Sequence, residues 1–252
     1  MNMLSEEREQ RILQLLEQKK AVTVMELTKL LQTSESTIRR DLNSLAEMGK
    51  LNKVHGGAMA IETFRQTIEE NVEEKALKNI QEKIQIAQYA ATLVQNDDFV
   101  FLDAGTTTAK MIDYLDPTSK AVFITNGIVH VRKLTQKGIK AYLLGGELKL
   151  STEAMIGAAA TDSLKAYNFT KSFIGCNGIH EEYGFSTPDV AEAMIKKEAM
   201  NRCFMNCIVA DSSKFGKISA VSFGRLSQAC IITDQIKDKK YANYTVIREV
   251  VK

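Results

Sequence analysis

From residue 81 onward, short runs of almost uninterrupted apolar residues recur between longer stretches with helical spacing: Phe99-Val-Phe-Leu102, Ala121-Val-Phe-Ile124, Ala141-Tyr-Leu-Leu144, Ser172-Phe-Ile174, Cys207-Ile-Val-Ala210 and Ala229-Cys-Ile-Ile232. A strand with one wet face alternates apolar and polar residues, so a run that is apolar throughout must be covered on both faces. Helices between such strands supply the covers, and the pattern predicts an α/β layered fold with a largely parallel sheet. In open sheets of this kind ligands sit just beyond the carboxyl ends of the strands.

The chain has 252 residues, more than one modal domain of about 100–150, so two domains are expected. Its longest apolar stretches, such as Ala154-Met-Ile-Gly-Ala-Ala-Ala160, are far shorter than the roughly 18 residues of a membrane span. Acidic Glu6 and Glu7 fall where a signal peptide would be basic or apolar. A soluble, cytoplasmic protein without a membrane partner is expected. Four cysteines, at 176, 203, 207 and 230, include no Cys-x-x-Cys pair and have no histidine at finger spacing, so neither a metal nor another cofactor is expected. They read as buried thiols, with Cys203 and Cys207 neighbours at helical i, i+4 spacing. A net charge of +2 is too small to announce a nucleic-acid partner, so any DNA contact must be local.

Three helical patterns open the chain. Ile12, Leu13, Leu15 and Leu16 give the first an apolar face, and Lys19-Lys20 suits its C-terminus. Thr23 with Glu26 three residues on forms a capping-box pattern before Val24, Leu27, Leu30 and Leu31. Ser34 is placed to cap a third helix that runs to Gly49. In that helix Ile38, Leu42 and Leu45 form a buried stripe, leaving Ser36, Arg40 and Asn43 opposite and Thr37 and Arg39 on the flanks. A helix fits the major groove, where Arg pairs with guanine and Asn with adenine. The segment Lys50-Leu-Asn-Lys-Val-His-Gly-Gly57 alternates like a small β-wing ending in a Gly-Gly turn, with Lys50, Lys53 and His55 able to grip phosphates. Nine basic and eight acidic residues among the first sixty leave a structural three-helix bundle as the alternative.

The stretch Ser34-Glu-Ser-Thr-Ile-Arg-Arg-Asp-Leu42, with Leu45, Gly49 and Val54-His-Gly-Gly-Ala58, resembles the DNA-binding signature of the DeoR family of bacterial sugar-metabolism regulators. The resemblance implies a winged helix-turn-helix over residues 1–57, with Thr37 to Arg40 on the recognition helix and double-stranded operator DNA as partner. Glu62, Glu69, Glu70, Glu73 and Glu74, with few apolar anchors between them, mark residues 58–80 as a solvated linker, and residues 81–252 form the second domain.

In that second domain, Asp103-Ala-Gly-Thr-Thr-Thr108 leads from the first apolar run into a helix marked by Met111, Ile112 and Leu115. Gly105 allows close backbone approach, and the amides and hydroxyls of Thr106, Thr107 and Thr108 suit a phosphate at a positive helix end. A turn that merely caps the helix would look the same. Asp103 would repel phosphate, so its carboxylate accepts sugar hydroxyls or fixes the loop. Thr125-Asn126-Gly127, Gly145-Gly146-Glu147 and Asp211-Ser-Ser-Lys214 follow other runs. Each alone reads as a turn; together they supply what a polyhydroxylated phosphate needs. Lys214 is the candidate charge facing that ligand, an exposed surface lysine being the alternative.

This half also resembles the DeoR-type sensor domain, related in fold to ribose-phosphate isomerase. The resemblance implies a sugar-phosphate pocket from Asp103, Gly105, Thr106, Thr107, Thr108, Thr125, Asn126, Gly145, Gly146, Asp211 and Lys214, and Asn177 joins this set. Related isomerases carry Asp-Gly-x-Asp where this chain has Asn177-Gly-Ile-His180, so no catalytic residue is assigned and a regulator is expected, an isomerase-like enzyme being the alternative. His180 reads as a loop residue lining or bordering the pocket. The stretches Asn177 to Asp189, Glu192-Ala-Met194 and Lys214 to Ser219 are most similar to fructose-operon repressors of Gram-positive bacteria, which implies fructose 1-phosphate as inducer, with tagatose phosphates as alternatives. One helix-turn-helix reads only a half-site, so a homo-oligomer, dimer or tetramer, is expected.

Overall fold

A computed structural model describes residues 4–60, 65–66, 71–236 and 238–250, and the chain divides into two compact units, Met1–Phe64 and Arg65–Lys252. The first contains α1 (Ser5–Lys19), β1 (Ala21–Thr23), α2 (Val24–Leu31), α3 (Glu35–Glu47), β2 (Leu51–Val54) and β3 (Gly57–Ala60). Its helices start where the sequence places caps. The Thr23 hydroxyl accepts from the Glu26 amide at 3.1 Å, and the Ser34 hydroxyl from the Thr37 amide at 3.2 Å. Ile12, Leu16, Leu27, Ile38, Leu42 and Leu45 close one core beneath the three helices.

The wing is larger than the alternating segment suggests. Strands β1, β3 and β2 form an antiparallel sheet in that order, so residues 58–60 are part of the wing rather than the start of a linker. Its tip is not a Gly-Gly turn: Val54 pairs with Gly57 across His55 and Gly56, and Gly56 takes the left-handed φ of +78°. Gly57 is required for a different reason, because a Cβ there would lie 2.2 Å from the Val22 carbonyl oxygen of β1. Arg8 of α1 grips Asp41 of α3 through two bonds, at 2.5 and 2.9 Å. Of the expected linker, Glu62, Glu69 and Glu70 lie outside the described residues.

The second unit runs β4 (Arg65–Gln66), α4 (Val72–Ala76), α5 (Ile80–Thr92), β5 (Phe99–Leu102), α6 (Thr106–Asp113), β6 (Val122–Thr125), α7 (Ile128–Gln136), β7 (Ala141–Leu143), β8 (Glu147–Lys149), β9 (Ala154–Ile156), α8 (Ala158–Leu164), β10 (Phe169–Ile174), β11 (Gly178–His180), β12 (Gly184–Thr187), α9 (Val190–Asn201), β13 (Cys203–Val209), β14 (Ile218–Ser219), β15 (Val221–Gly224), β16 (Cys230–Thr233) and β17 (Ile247–Glu249). Seven strands form one parallel sheet in the order β17-β16-β13-β10-β5-β6-β7. All six apolar runs are strands of this sheet. The pleat sends alternate residues to opposite faces: Phe101, Ile124, Ile174 and Ile208 join the core with α8 and α9, whereas Val100, Leu102, Phe123 and Phe173 join the core with α5 and α6.

Cys203 and Cys207 are not helical neighbours, because both lie on β13. All four cysteines are free, with Cys207 buried and the other three only half-buried. Among the described residues no helix is long and apolar enough to cross a membrane.

Candidate functional site

Strand order decides where a site can form in the second unit. From β5 the chain adds β6 and β7 on one side and β10, β13 and β16 on the other, so the direction of winding reverses between β5 and β10. Connections leaving in opposite directions open a crevice at the carboxyl ends of those two strands. A cavity of about 190 Å³ lies there, lined from β5 by Asp103 to Thr107, from β10 by Gly175, Cys176 and Asn177, and from β13 by Val209, Ala210 and Asp211.

Asp103 is buried at its floor. Its Oδ2 accepts from the Gly175 amide at 3.0 Å and from the Lys196 ammonium of α9 at 2.5 Å. Burial alone would push the Lys196 pKa down, but the facing Asp103 and nearby Glu192 outweigh it and hold the ammonium above its ordinary value. Glu192 is opposed by burial, yet Lys196 and Lys149 keep its carboxyl below the usual range. Its Oε1 accepts from Thr152 at 2.8 Å and from Lys149 at 3.1 Å, and Lys149 reaches Asp189 at 3.0 Å. Burial pushes the Cys176 thiol up to about 12, so it lines the wall as a neutral group.

The candidate effector residues divide into two layers. Asp103, Gly105, Thr106, Thr107, Asn177, Asp211 and Lys214 line the cavity. Thr108, Thr125, Asn126, Gly145 and Gly146 do not. The Thr108 hydroxyl donates to the Asp103 carbonyl at 2.6 Å and accepts from the Gly105 amide at 3.0 Å, so it shapes the loop from behind. Asn126 accepts from the Ala104 amide at 2.9 Å, and Thr125 from the Gly127 amide at 3.0 Å. Gly145 and Gly146 form an exposed turn in which a Cβ on Gly146 would meet the Ile156 carbonyl at 2.5 Å. His180 is a strand residue of β11 that packs on Tyr183 with ring centroids 5.2 Å apart, away from the cavity.

The main residues missed by sequence reasoning are Lys196 and Glu192. They stand one helical turn apart on α9 among buried Ala193, Ile195 and Ala199, a face on which charges need a reason. An i, i+4 Glu/Lys pair reads as ordinary surface pairing, and only the packing of α9 on the sheet turns it inward. Thr152, Lys75, Lys78, Asn79, Lys83, Ser213 and Lys217 complete the polar lining.

In the first unit, Ser34, Ser36, Arg39, Arg40 and Asn43 are exposed on or beside α3, and Thr37 is half-buried. Lys50, Lys53 and His55 are exposed along the wing. Arg39, Lys53 and His55 flank one groove between α3 and the wing. Arg39 also pairs with Glu35 at 3.3 Å, an exposed ion pair that costs little to exchange for a phosphate.

Residues 8–64 match the family model described as a DeoR-like helix-turn-helix domain, and residues 78–235 match the DeoR C terminal sensor domain. The chain belongs to the DeoR family. Over 98% of this DeoR-family chain and 99% of the relative, it is 44% identical to an uncharacterized HTH-type transcriptional regulator, FruR, of Bacillus subtilis (strain 168). It is 35% identical to the lactose phosphotransferase system repressor of Streptococcus mutans, over 99% and 100% of the two chains. Among solved structures, ribose 5-phosphate isomerase A from Methanocaldococcus jannaschii aligns with a TM-score of 0.42 and 17% identity, covering 56% of each chain.

Proposed function

We propose that this DeoR-family regulator represses a sugar-utilisation operon, binding operator DNA through α3 and the wing and releasing it when a sugar phosphate fills the cavity. The observation that carries the sensing half is the cavity at the winding reversal, where a buried carboxylate and ammonium face the first turn of α6. Amides of a helix's first turn and a facing lysine suit a phosphate, and Asp103 and Asn177 suit sugar hydroxyls. Among the described residues the Gly175 amide and the Lys196 ammonium both bond to Oδ2 of Asp103, which leaves Oδ1 for such a hydroxyl. Lys214 is assigned to the phosphate.

For the DNA half, Arg40 and Asn43 read base edges while Ser34, Ser36, Thr37, Arg39, Lys50, Lys53 and His55 hold the backbone. A homo-oligomer presents two such helices to a palindromic operator. Fructose 1-phosphate is the proposed inducer, supported by the 44% identity to FruR; tagatose phosphates, the alternative from the family resemblance, are the second ligands to try. An enzymatic role is disfavoured because these relatives are regulators.

The deciding experiment is fluorescence anisotropy of labelled DNA from the protein's own upstream region, at fixed salt, with and without fructose 1-phosphate. Selective binding relieved by the sugar phosphate is the expected result; no selective binding sinks the proposal. Arg40→Ala should weaken operator binding by about 1–3 kcal/mol and relax sequence preference. An equal loss on random DNA would make Arg40 a phosphate clamp instead.

A further inference from the structure

One wall of the cavity comes from neither the sheet nor α9. Val72, Lys75, Lys78 and Asn79 supply it, and along the chain they lie between the first unit and the sheet. Helix α4 buries none of its residues, so little apolar packing holds this strap in place. It is fastened by individual polar bonds: the Val72 amide donates to the Ser151 carbonyl at 3.0 Å, and the Lys83 ammonium donates to the Lys75 carbonyl. Segments secured in this way open at low free-energy cost.

Asn79 makes the most specific fastening. It stands at the N-cap of α5 with a left-handed φ of +51°, yet its side chain does not cap that helix. A capping bond there is worth about 1 kcal/mol. The carboxamide is turned away instead, donating to Asp211 Oδ1 at 2.8 Å and to the Ser213 hydroxyl at 3.3 Å. Asp211 itself lines the cavity and caps the short turn Ser212–Lys214 that carries Lys214. That turn is pinned from the other side, where Asp234 accepts from the Ser212 amide at 2.6 Å and the Ser212 hydroxyl at 2.9 Å. One side chain therefore joins the strap to the rigidly held turn on which the cavity's candidate phosphate-binding lysine sits.

We propose that Asn79 is the coupling residue of this regulator, conveying occupancy of the cavity from the Asp211–Lys214 turn to the strap that leads toward the DNA-binding unit. The inference rests on the sugar-phosphate reading above. A ligand that engages Asp211 and Lys214 changes the acceptors available to Asn79, and the strap, whose helix α4 has no fully buried residue, responds. Asn79 lines the cavity and also acts through the turn, as a positioning residue for the strap.

Two variants of the full-length protein test this. Asn79→Gly removes the carboxamide while glycine keeps the left-handed backbone without strain. Asn79→Asp is isosteric and opens the clasp by setting a second carboxylate against Asp211. Without any ligand, both should raise amide hydrogen exchange in residues 72–78 by about tenfold. Unchanged exchange overturns the proposal whatever the ligand proves to be. In the functional arm, with fructose 1-phosphate at a concentration that calorimetry shows to saturate each variant, sugar-phosphate release of operator DNA should fall from about tenfold to under about threefold. Full release by both variants at saturating ligand overturns it, and so do variants that no longer bind the ligand at all, which would make Asn79 a binding residue only. A wild-type protein that binds no sugar phosphate, but whose exchange responds as described, refutes the ligand reading and leaves the clasp standing as a structural fastening only, which also overturns the coupling role.

Discussion

His130 shows how one buried side chain can set an acid limit. Its ring packs fully buried behind the Asp103 to Thr108 loop, with Nε2 3.1 Å from the Gly105 carbonyl and 3.0 Å from the Thr108 hydroxyl. Burial pushes its pKa from 6.5 down to about 4. The unfolded chain therefore takes up a proton that the folded chain refuses between those values. The stability contributed is complete above about pH 6.5 and is lost as pH falls toward about 4, by about 3 kcal/mol in full. Denaturant titrations at about pH 7 and about pH 4.5 should show this loss, and His130→Gln should show a smaller one. An equal acid loss in the variant would count against the assignment. Lys196 presents the opposite case, a cation kept charged by its partners. Lys196→Met should leave Asp103 buried beside no cation and cost roughly 3 kcal/mol, read by denaturation, together with loss of sugar-phosphate binding in calorimetry. Of these two residues neither was legible as functional: a lone histidine in Gly127-Ile-Val-His130 and a lysine in a helix have no distinguishing spacing.

At the scale of elements, α3 was legible almost residue by residue, because a helix with one buried stripe leaves its outer face determined by geometry. Ser34 starts that helix and also contacts the hydroxyls of Ser36 and Thr37, each at 2.9 Å. Ser34→Ala should cost about 1 kcal/mol of first-unit stability and weaken operator binding, since a frayed first turn moves the side chains proposed to contact DNA. Thermal denaturation together with anisotropy checks this; weaker DNA binding at unchanged stability would give Ser34 a direct phosphate contact instead. By contrast β1 is three residues long, too short to show a period, and it exists as a strand because Gly57 lets β3 come close. Strands β11, β12 and β15 likewise went unread, their short segments being paired only by tertiary contacts.

For the whole molecule the question is how two units share one free energy. A tenfold change in operator affinity requires only about 1.4 kcal/mol of ligand preference between states. Lys214→Ala should keep operator binding within about threefold of wild type, because the residue belongs to the second unit, and should raise the sugar-phosphate concentration needed for release by about tenfold. Anisotropy titrations at fixed salt measure both quantities. Unchanged induction would remove Lys214 from the phosphate site.

The sequence alone determined the two-part organisation, the exposed face of α3, the six parallel strands and the loops at their carboxyl ends. Those features are local: apolar periodicity, cap residues and strand-end positions are written within a few neighbouring residues. Which strand-end residues meet was decided only by the order of strands in the sheet. That order puts β5 beside β10, bringing Asp103 to the cavity with Asn177 while Gly145 and Gly146, at the end of the edge strand β7, stay outside it. It also turns Lys196 and Glu192 inward and lets Asn79 reach Asp211 across more than a hundred residues of chain. Contacts at such separations leave no period in the sequence, because the fold that creates them is a property of the packed core and not of any one segment.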